Sequence, residues 1–432
     1  MRGSLQSGPN DQALLHLFRV TLMRVALLTW FYPPGGSGLG RAAHMIAHGL
    51  RETGCSVSVI TASKPLGFRE NETDIEIIGC APPEKGVGSF VRRRACGGHL
   101  VAPWQFQKVV RDLHQETPFD IIEATNWYAP AALLTSHETP IVIRNSTPAI
   151  DTWSSTIGVR NMIDLRFAHS LEAWTARRAS ALISNTVTHH RMIEQTYGIP
   201  SAKPHAVVEL ALDPTLLARS RDVGFDPVAA PKFLFIGRDE RRKGFQEMVE
   251  AFIRIVSARK RADRPAASLT IVGVDEDAVG ALLARHPESH HARRHIRCFP
   301  AVADETLHDL FEEASIVLAP SRYESYGLVY REAAAFGRPL VACAEDPAAV
   351  QFVERTKCGV LAKDCSARSI QKVVETLLAD HALQRRLSAN GREHARTLTR
   401  RRLGEETLKV YRSILAGRQR SLEPTAQPKT AR

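Results

Sequence analysis

A chain of 432 residues is long enough for two or three domains with sizeable cores. With 44% hydrophobic and 24% charged residues it is ordinary for a globular protein, and no window supplies the roughly 18 unbroken apolar residues of a membrane span. The formal charge of +11 implies attraction to something anionic, while seven cysteines, an odd number without a C-x-x-C pair, make neither a disulfide framework nor a zinc site.

The first 22 residues are polar and patternless and read as a disordered extension. Leu22–Trp30, flanked by Arg19 and Arg24, resembles the core of a signal peptide. It runs into a glycine-rich loop and an amphipathic helix without a small-residue cleavage site, so it reads as a buried strand. Met23 fits either a translation start or a core methionine. Strand-like runs follow at Arg24–Thr29, Ser56–Thr61, Asp120–Glu123, Ile141–Arg144, Ala181–Ser184 and Ala206–Leu210, with helical patterns at Gly40–Arg51 and Ile163–Arg178. Asp213–Lys232, carrying Pro214, Gly224, Pro227 and Pro231, breaks the pattern and reads as a linker. Further strands are expected at Phe233–Ile236, Leu269–Val272, His295–Phe299, Ile316–Ala319 and Leu340–Cys343, and helices at Phe245–Ala258, Ala278–Arg285 and Ala382–Ala416.

This alternation predicts an α/β protein of two doubly wound, Rossmann-like domains. The expected division is 23–215, 216–400, a final helix segment 401–416 and a disordered tail 417–432. Cys55, Cys298 and Cys343 sit in strand-like runs as small apolar residues, which suits a reducing cytoplasm.

In such folds ligands bind beyond the carboxyl ends of the strands, so the loops there carry the chemistry. After the first strand, Gly38-Leu39-Gly40-Arg41-Ala42-Ala43 satisfies G-x-G-x-x-A, but the companion acid after the second strand is missing, with Thr61, Ala62 and Ser63 in its place. These glycines are expected to let the loop approach a ligand presented by the other domain. After Phe233–Ile236 come Gly237-Arg238 and then Arg242-Lys243-Gly244, where Arg238 and Lys243 can point cations at a diphosphate. Ser321–Ala342 is the most informative segment. A strand runs into a loop with Glu324 and Ser325. Gly327 and Leu328 open a helix, and Glu332 lies about one turn inside it. A helix N-terminus with a glycine suits a phosphate. Two carboxylates beside a phosphate cradle make sense when they accept hydroxyls on either side of it, as in a nucleotide sugar.

Several features read as structural. Asp275-Glu276-Asp277 imitates a metal-binding D-x-D but fits the first turn of a helix, and His290, His291 and His295 sit in an Arg-rich segment without a fourth ligand. His189-His190 reads as a helix start. Arg92-Arg93-Arg94, Arg241-Arg242-Lys243 and Arg400-Arg401-Arg402 lack interleaved aromatics, so nucleic acid is not expected. Arg92–Arg94 could contact an anionic membrane surface peripherally.

The spacing G-R-x-x-x-x-K-G from Gly237, with Glu324-x7-Glu332 downstream, resembles the group 1 (family 4) retaining glycosyltransferases of GT-B fold, from Met23 to about Tyr411. The resemblance implies two Rossmann-like domains facing across a cleft, a C-terminal helix crossing back near Tyr411, no metal or other cofactor, and a nucleoside-diphosphate-sugar donor, UDP- or GDP-linked. It implies Glu332 at the donor ribose and Glu324 near the donor sugar. By the same resemblance Gly327 and Leu328 are expected as phosphate contacts with Ser325 alongside, and Arg238 and Lys243 as the diphosphate pair. Ser37–Arg41, with Gly38 and Gly40, is similar to the family's G-G-x-G-R loop. Acceptor loops are expected around Gly38–Arg41, Asn126–Tyr128 and Ser146–Trp153, with Ser146, Arg41 and Trp127 as candidates; Trp127 and Trp153 fit sugar stacking or a core equally.

The chain departs from the family at three places. Ser146 stands where an active-site histidine is common. Glu345-Asp346-Pro347-Ala348-Ala349 replaces a Gly-Gly-x-x-Glu turn, and Ala211 replaces a glycine before Asp213. A serine hydroxyl is a poor base at neutral pH. Two rivals therefore stand beside the transferase: a nucleotide-sugar epimerase of the same fold, and a non-catalytic sugar-nucleotide-binding or partner subunit.

Overall fold

Buried parallel strands read as near-continuous runs of Val, Ile and Leu, and those runs build two sheets. The computed structural model describes residues 22–33, 38–82, 98–134, 138–152, 159–286 and 289–422. The N-terminal sheet holds β1 (Arg24–Thr29), β2 (Ser56–Thr61), β3 (Arg69–Glu72), β4 (Ile75–Gly79), β5 (Ile121–Thr125), β6 (Ile141–Arg144), β7 (Ala181–Ser184) and β8 (His205–Val207). Its order is β3-β4-β2-β1-β5-β6-β7-β8, parallel except for the edge hairpin β3–β4. The C-terminal sheet holds β9 (Lys232–Ile236), β10 (Ser268–Val272), β11 (Ile296–Phe299), β12 (Ile316–Leu318), β13 (Leu340–Cys343) and β14 (Gly359–Ala362), all parallel, in the order β11-β10-β9-β12-β13-β14. Each sheet carries apolar clusters on both faces, as a doubly wound domain requires.

The structure departs from the sequence reading at several places: β3, β4 and β14 are strands it did not include, and three further segments differ. Pro214–Ser220, inside the expected linker, is a helix, because Asp213 accepts the Thr215 amide as N-cap and Pro214 pre-sets the first turn. The expected helix Ala382–Ala416 is two helices, His381–Ala395 and Arg400–Leu422. Between them Leu398 is fully buried, its carbonyl accepts the Leu212 amide, and the Thr399 hydroxyl accepts the Arg402 amide. The second helix runs to Leu422, so residues 417–422 are helical rather than part of a disordered tail.

That last helix crosses back onto the N-terminal domain. Leu403, Leu408 and Tyr411 enter the core on one face of the first sheet. It packs on helix Gly38–Glu52 at glycine contact: a Cβ on Gly404 would lie 1.9 Å from the Gly49 carbonyl oxygen. Beneath it, Glu123 on β5 takes a two-pronged hydrogen bond from Arg144 on β6, at 2.7 and 3.2 Å. Tyr411 donates to the same carboxylate at 2.6 Å, and Arg144 donates to Thr407 at 2.9 Å. No helix among the described residues is long and apolar enough to cross a membrane. Arg92–Arg94, Ser37 and Trp153 lie outside the described residues.

Candidate functional site

The loop from β12 to helix Leu328–Ala335 is the centre of the site. Gly327 caps that helix at φ +72°, and a Cβ there would meet the Tyr330 ring at 2.4 Å, so both backbone and space demand glycine. Gly244, at φ +66°, lies so close to Pro320 that a Cβ would come within 2.2 Å of its carbonyl oxygen. This contact lays the loop after β9 directly against the loop after β12. It brings Lys243 Nζ to 2.5 Å and Arg242 Nη1 to 3.0 Å from the Glu324 carboxylate, which also accepts the Ser321 hydroxyl at 2.9 Å. Burial pushes the Glu324 carboxyl up, but the two cations more than offset it and hold it below its ordinary range. Arg238 is turned outward: its guanidinium is largely exposed and paired with Glu240 at 2.7 Å. The basic pair at Glu324 is therefore Lys243 with Arg242. Sequence spacing did not single out Arg242 because it is one of two adjacent arginines.

The replacement turn Glu345–Ala349 contributes structurally. Asp346 caps helix Pro347–Thr356, accepts the Glu324 amide at 3.1 Å and accepts the Tyr330 hydroxyl at 2.7 Å. Burial raises its carboxyl to about 6, with the Tyr330 bond pulling the other way.

Glu332 is buried one turn into the helix, and burial raises its carboxyl while Arg41 opposes the rise. Arg41, on helix Gly38–Glu52 of the other domain, reaches it at 3.7 Å and also pairs closely with Asp304. Gly38 opens that helix with its Cβ direction 3.9 Å from the Leu328 side chain, and Gly40, two residues on, is buried. Two helix N-termini, one from each domain, thus face one another. Flanking contacts close the cleft: Thr147 donates to Ser325 at 3.0 Å, Tyr326 donates to the Leu210 carbonyl at 2.8 Å, and Arg355 pairs with Glu209 at 2.6 Å.

On the N-terminal side, β5 and β6 end beside one another and present Asn126 and Ser146. The Asn126 side-chain oxygen accepts both the amide and the hydroxyl of Ser146, at 2.7 and 2.9 Å, and its amide donates to Tyr197 at 2.8 Å. Tyr197 in turn donates to Glu172 at 2.8 Å. Glu172 also accepts the amides of Tyr128 and Ala149. Tyr128 and Ala129 hold left-handed φ values of 50° and 42°, a strained conformation that the Glu172 bond helps to keep. Burial raises the Glu172 carboxyl to about 7, against its hydrogen bonds. Glu172 lies in mid-helix without a motif, which is why sequence reasoning missed it. Trp127 packs among Trp30, Phe31 and Tyr128, and its carbonyl accepts the Trp30 indole N–H at 2.6 Å, so it belongs to an aromatic cluster that is only half-buried.

The remaining polar clusters sit elsewhere. Asp275 N-caps helix Glu276–Leu283, with Glu276 and Asp277 in its first turn. His189 lies in the first turn of helix Val187–Tyr197, where burial lowers its imidazole to about 4. His291 accepts from Lys260 at 2.6 Å.

Known proteins place this architecture. Residues 37–208 match the glycosyl transferase 4-like domain, and residues 220–394 match the family described as glycosyl transferases group 1. A glycogen synthase of Mycobacterium tuberculosis is 27% identical over 337 residues, covering 74% of this chain and 77% of its own. A D-inositol 3-phosphate glycosyltransferase of Jonesia denitrificans is 30% identical over 252 residues, 56% of this chain and 58% of its own. Among solved structures, the sucrose-phosphate synthase of Thermosynechococcus elongatus superposes with a TM-score of 0.70 at 20% identity, covering 91% of this chain and 100% of that one. Both halves are matched in order, each by the family its sheet and loops resemble, and the chain belongs to the group 1 glycosyltransferases of GT-B fold.

Proposed function

We propose that the chain transfers a hexosyl unit from a UDP- or GDP-sugar to a hydroxyl of a glycan, lipid or small-molecule acceptor, with retention of anomeric configuration and without a metal ion. The observation that carries this reading is the meeting of Lys243, Arg242 and Glu324 beside the Gly327-capped helix start, with Glu332 one turn further in. Glu332 accepts the donor ribose hydroxyls. The helix amides from Leu328 onward and the two cations take the diphosphate, doing the electrostatic work a divalent ion would otherwise supply. The bond from the anomeric carbon to the diphosphate oxygen breaks with its electron pair leaving on phosphate. The acceptor oxygen forms its bond on the same face, and its proton passes to the departing diphosphate oxygen. That route needs no base at position 146. Ser146, held by Asn126, is left to hydrogen-bond an acceptor.

The test is thermal unfolding of the pure protein against UDP, GDP, ADP and dTDP, repeated with Glu332→Ala. A nucleotide at a hundred times its Kd stabilises by about 2.7 kcal/mol. A shift with UDP or GDP that disappears in the variant supports the donor site, and turnover of the matching sugar nucleotide in the presence of an acceptor separates transfer from binding alone. No shift with any of the four moves the reading of a non-catalytic partner subunit ahead.

A further inference from the structure

We infer that His44, His48 and Glu72 form a binding site for a divalent transition metal of the zinc class, with two imidazoles and one carboxylate as ligands and a fourth position open. The site is separate from the cleft, and the inference does not rest on the proposed reaction.

His44 and His48 are four residues apart on helix Gly38–Glu52 and so share one face, as in helical H-x-x-x-H metal pairs. Glu72 ends β3 and faces them from the edge hairpin. Its Oε1 lies 3.4 Å from His44 Nε2 and 3.7 Å from His48 Nε2, and all three donor atoms fall within 4.8 Å of one another. Zinc with nitrogen and oxygen ligands at about 2.0–2.2 Å sets tetrahedral neighbours about 3.4 Å apart, so the donors stand close to the spacing an ion imposes.

A second observation points to the same spot. His48 Nε2 is buried and has no hydrogen-bond partner among the described residues. The hydroxyl of Tyr32, whose ring lies 5.6 Å from that of His44, is buried and unpartnered as well. Buried polar atoms normally find partners, and an ion with its bound water would supply them. Arg400, which donates to Met45 Sδ of the same helix at 3.5 Å, opposes a cation, and the Glu72 carboxylate beside both imidazoles offsets it.

The hairpin is built to hold Glu72 there. Thr73 and Asp74 take left-handed φ values of 48° and 65° in a two-residue turn, and Asp74 pairs with Arg51 of the same helix. Two other clusters are less suited. His190 and His205 stack face to face at 3.7 Å, with the Ser184 hydroxyl 2.8 Å from His205 Nε2. In the Cys343, Glu345 and Cys365 group, Cys365 is engaged with the Pro320 carbonyl at 2.8 Å.

The experiment strips the full chain with a chelator, titrates Zn2+ by calorimetry, and follows Co2+ as a spectroscopic substitute. One equivalent of Zn2+ is expected, with a visible Co2+ band of tetrahedral intensity. Affinity should fall about tenfold or more in His48→Ala and in Glu72→Gln, since even changes around a metal's ligands cost that much. Glu72→Gln keeps shape at a partly exposed position and carries the test should His48→Ala fail to fold. His190→Ala and Cys343→Ala should leave uptake unchanged. No uptake by the wild-type chain, or uptake undiminished by Glu72→Gln, overturns the inference. So does uptake abolished by either control substitution.

Discussion

Lys243 Nζ lies 2.5 Å from Glu324 Oε1, and Arg242 holds the other carboxylate oxygen at 3.0 Å. The carboxylate thus balances two cations where the proposed diphosphate lands, and it shares them with the ligand. Removing it should leave both cations free for the phosphates. Glu324→Gln is expected to bind nucleoside diphosphate at least as tightly as the wild type while losing transfer. Lys243→Ala should weaken binding by roughly 1.5–3 kcal/mol, the worth of a hydrogen bond to a charged group. Calorimetric titration of the nucleotide into both variants, paired with a transfer assay, separates the two effects.

Glu332 and Arg41 make the complementary case. Their contact is long at 3.7 Å and Arg41 is half-exposed, so the pair itself is worth less than about 1 kcal/mol. Ribose hydroxyls should displace it readily. Glu332→Ala is expected to cost the donor about 1.5–3 kcal/mol of binding and to leave the unfolding midpoint of the free protein nearly unchanged. Titration with the nucleotide and a urea melt without it check the two halves of that statement.

How much of this was readable follows from the residues themselves. Glu324, Gly327 and Glu332 sit within one strand-loop-helix, so their spacing already implied a common site. Arg242 did not stand out from Arg241, because only the Gly244–Pro320 contact decides which guanidinium turns inward. Glu172 gave no local signal, since its partners Tyr128, Ala149 and Tyr197 come from three other segments. Strand β3, Arg69-Glu70-Asn71-Glu72, carries no apolar alternation and forms only by pairing with β4. The break between the last two helices was hidden for a similar reason. Thr399 as cap and Leu398 as plug gain meaning only when Leu212 and the core are in place.

Glu123 and Arg144 did leave a mark: one charge of each sign, Glu123 within and Arg144 at the end of mainly apolar strands that turn out to be neighbours. Removing one partner of a buried pair strands the other charge without water. Glu123→Ala is expected to destabilise the fold by about 3–5 kcal/mol. Tyr411→Phe, which removes one bond to the same carboxylate, should cost about 1.5–3 kcal/mol. Urea unfolding followed by tryptophan fluorescence checks both. Because Tyr411 belongs to the crossing helix, proteolysis near the last helix should accelerate in each variant.

Glu172 supplies a pH dependence with a definite sign. Burial raises its carboxyl from the ordinary 4.5 to about 7 in the folded chain. Across that window the folded state holds a proton that the unfolded chain has lost, so this group's contribution to stability falls as pH rises. The displacement corresponds to a loss on the order of 3 kcal/mol between pH 4.5 and 7. Glu172→Gln removes the titration, keeps an oxygen to accept the Tyr128 or Ala149 amide, and should flatten that part of the profile. Wild-type stability relative to the variant is therefore expected to decline from pH 4.5 and to level off above 7, measured by urea unfolding at each pH. A difference that stays constant or grows with pH would mean the carboxyl is ionised throughout. The strained turn at Tyr128 and Ala129 would then rest on a charged acceptor rather than a neutral one.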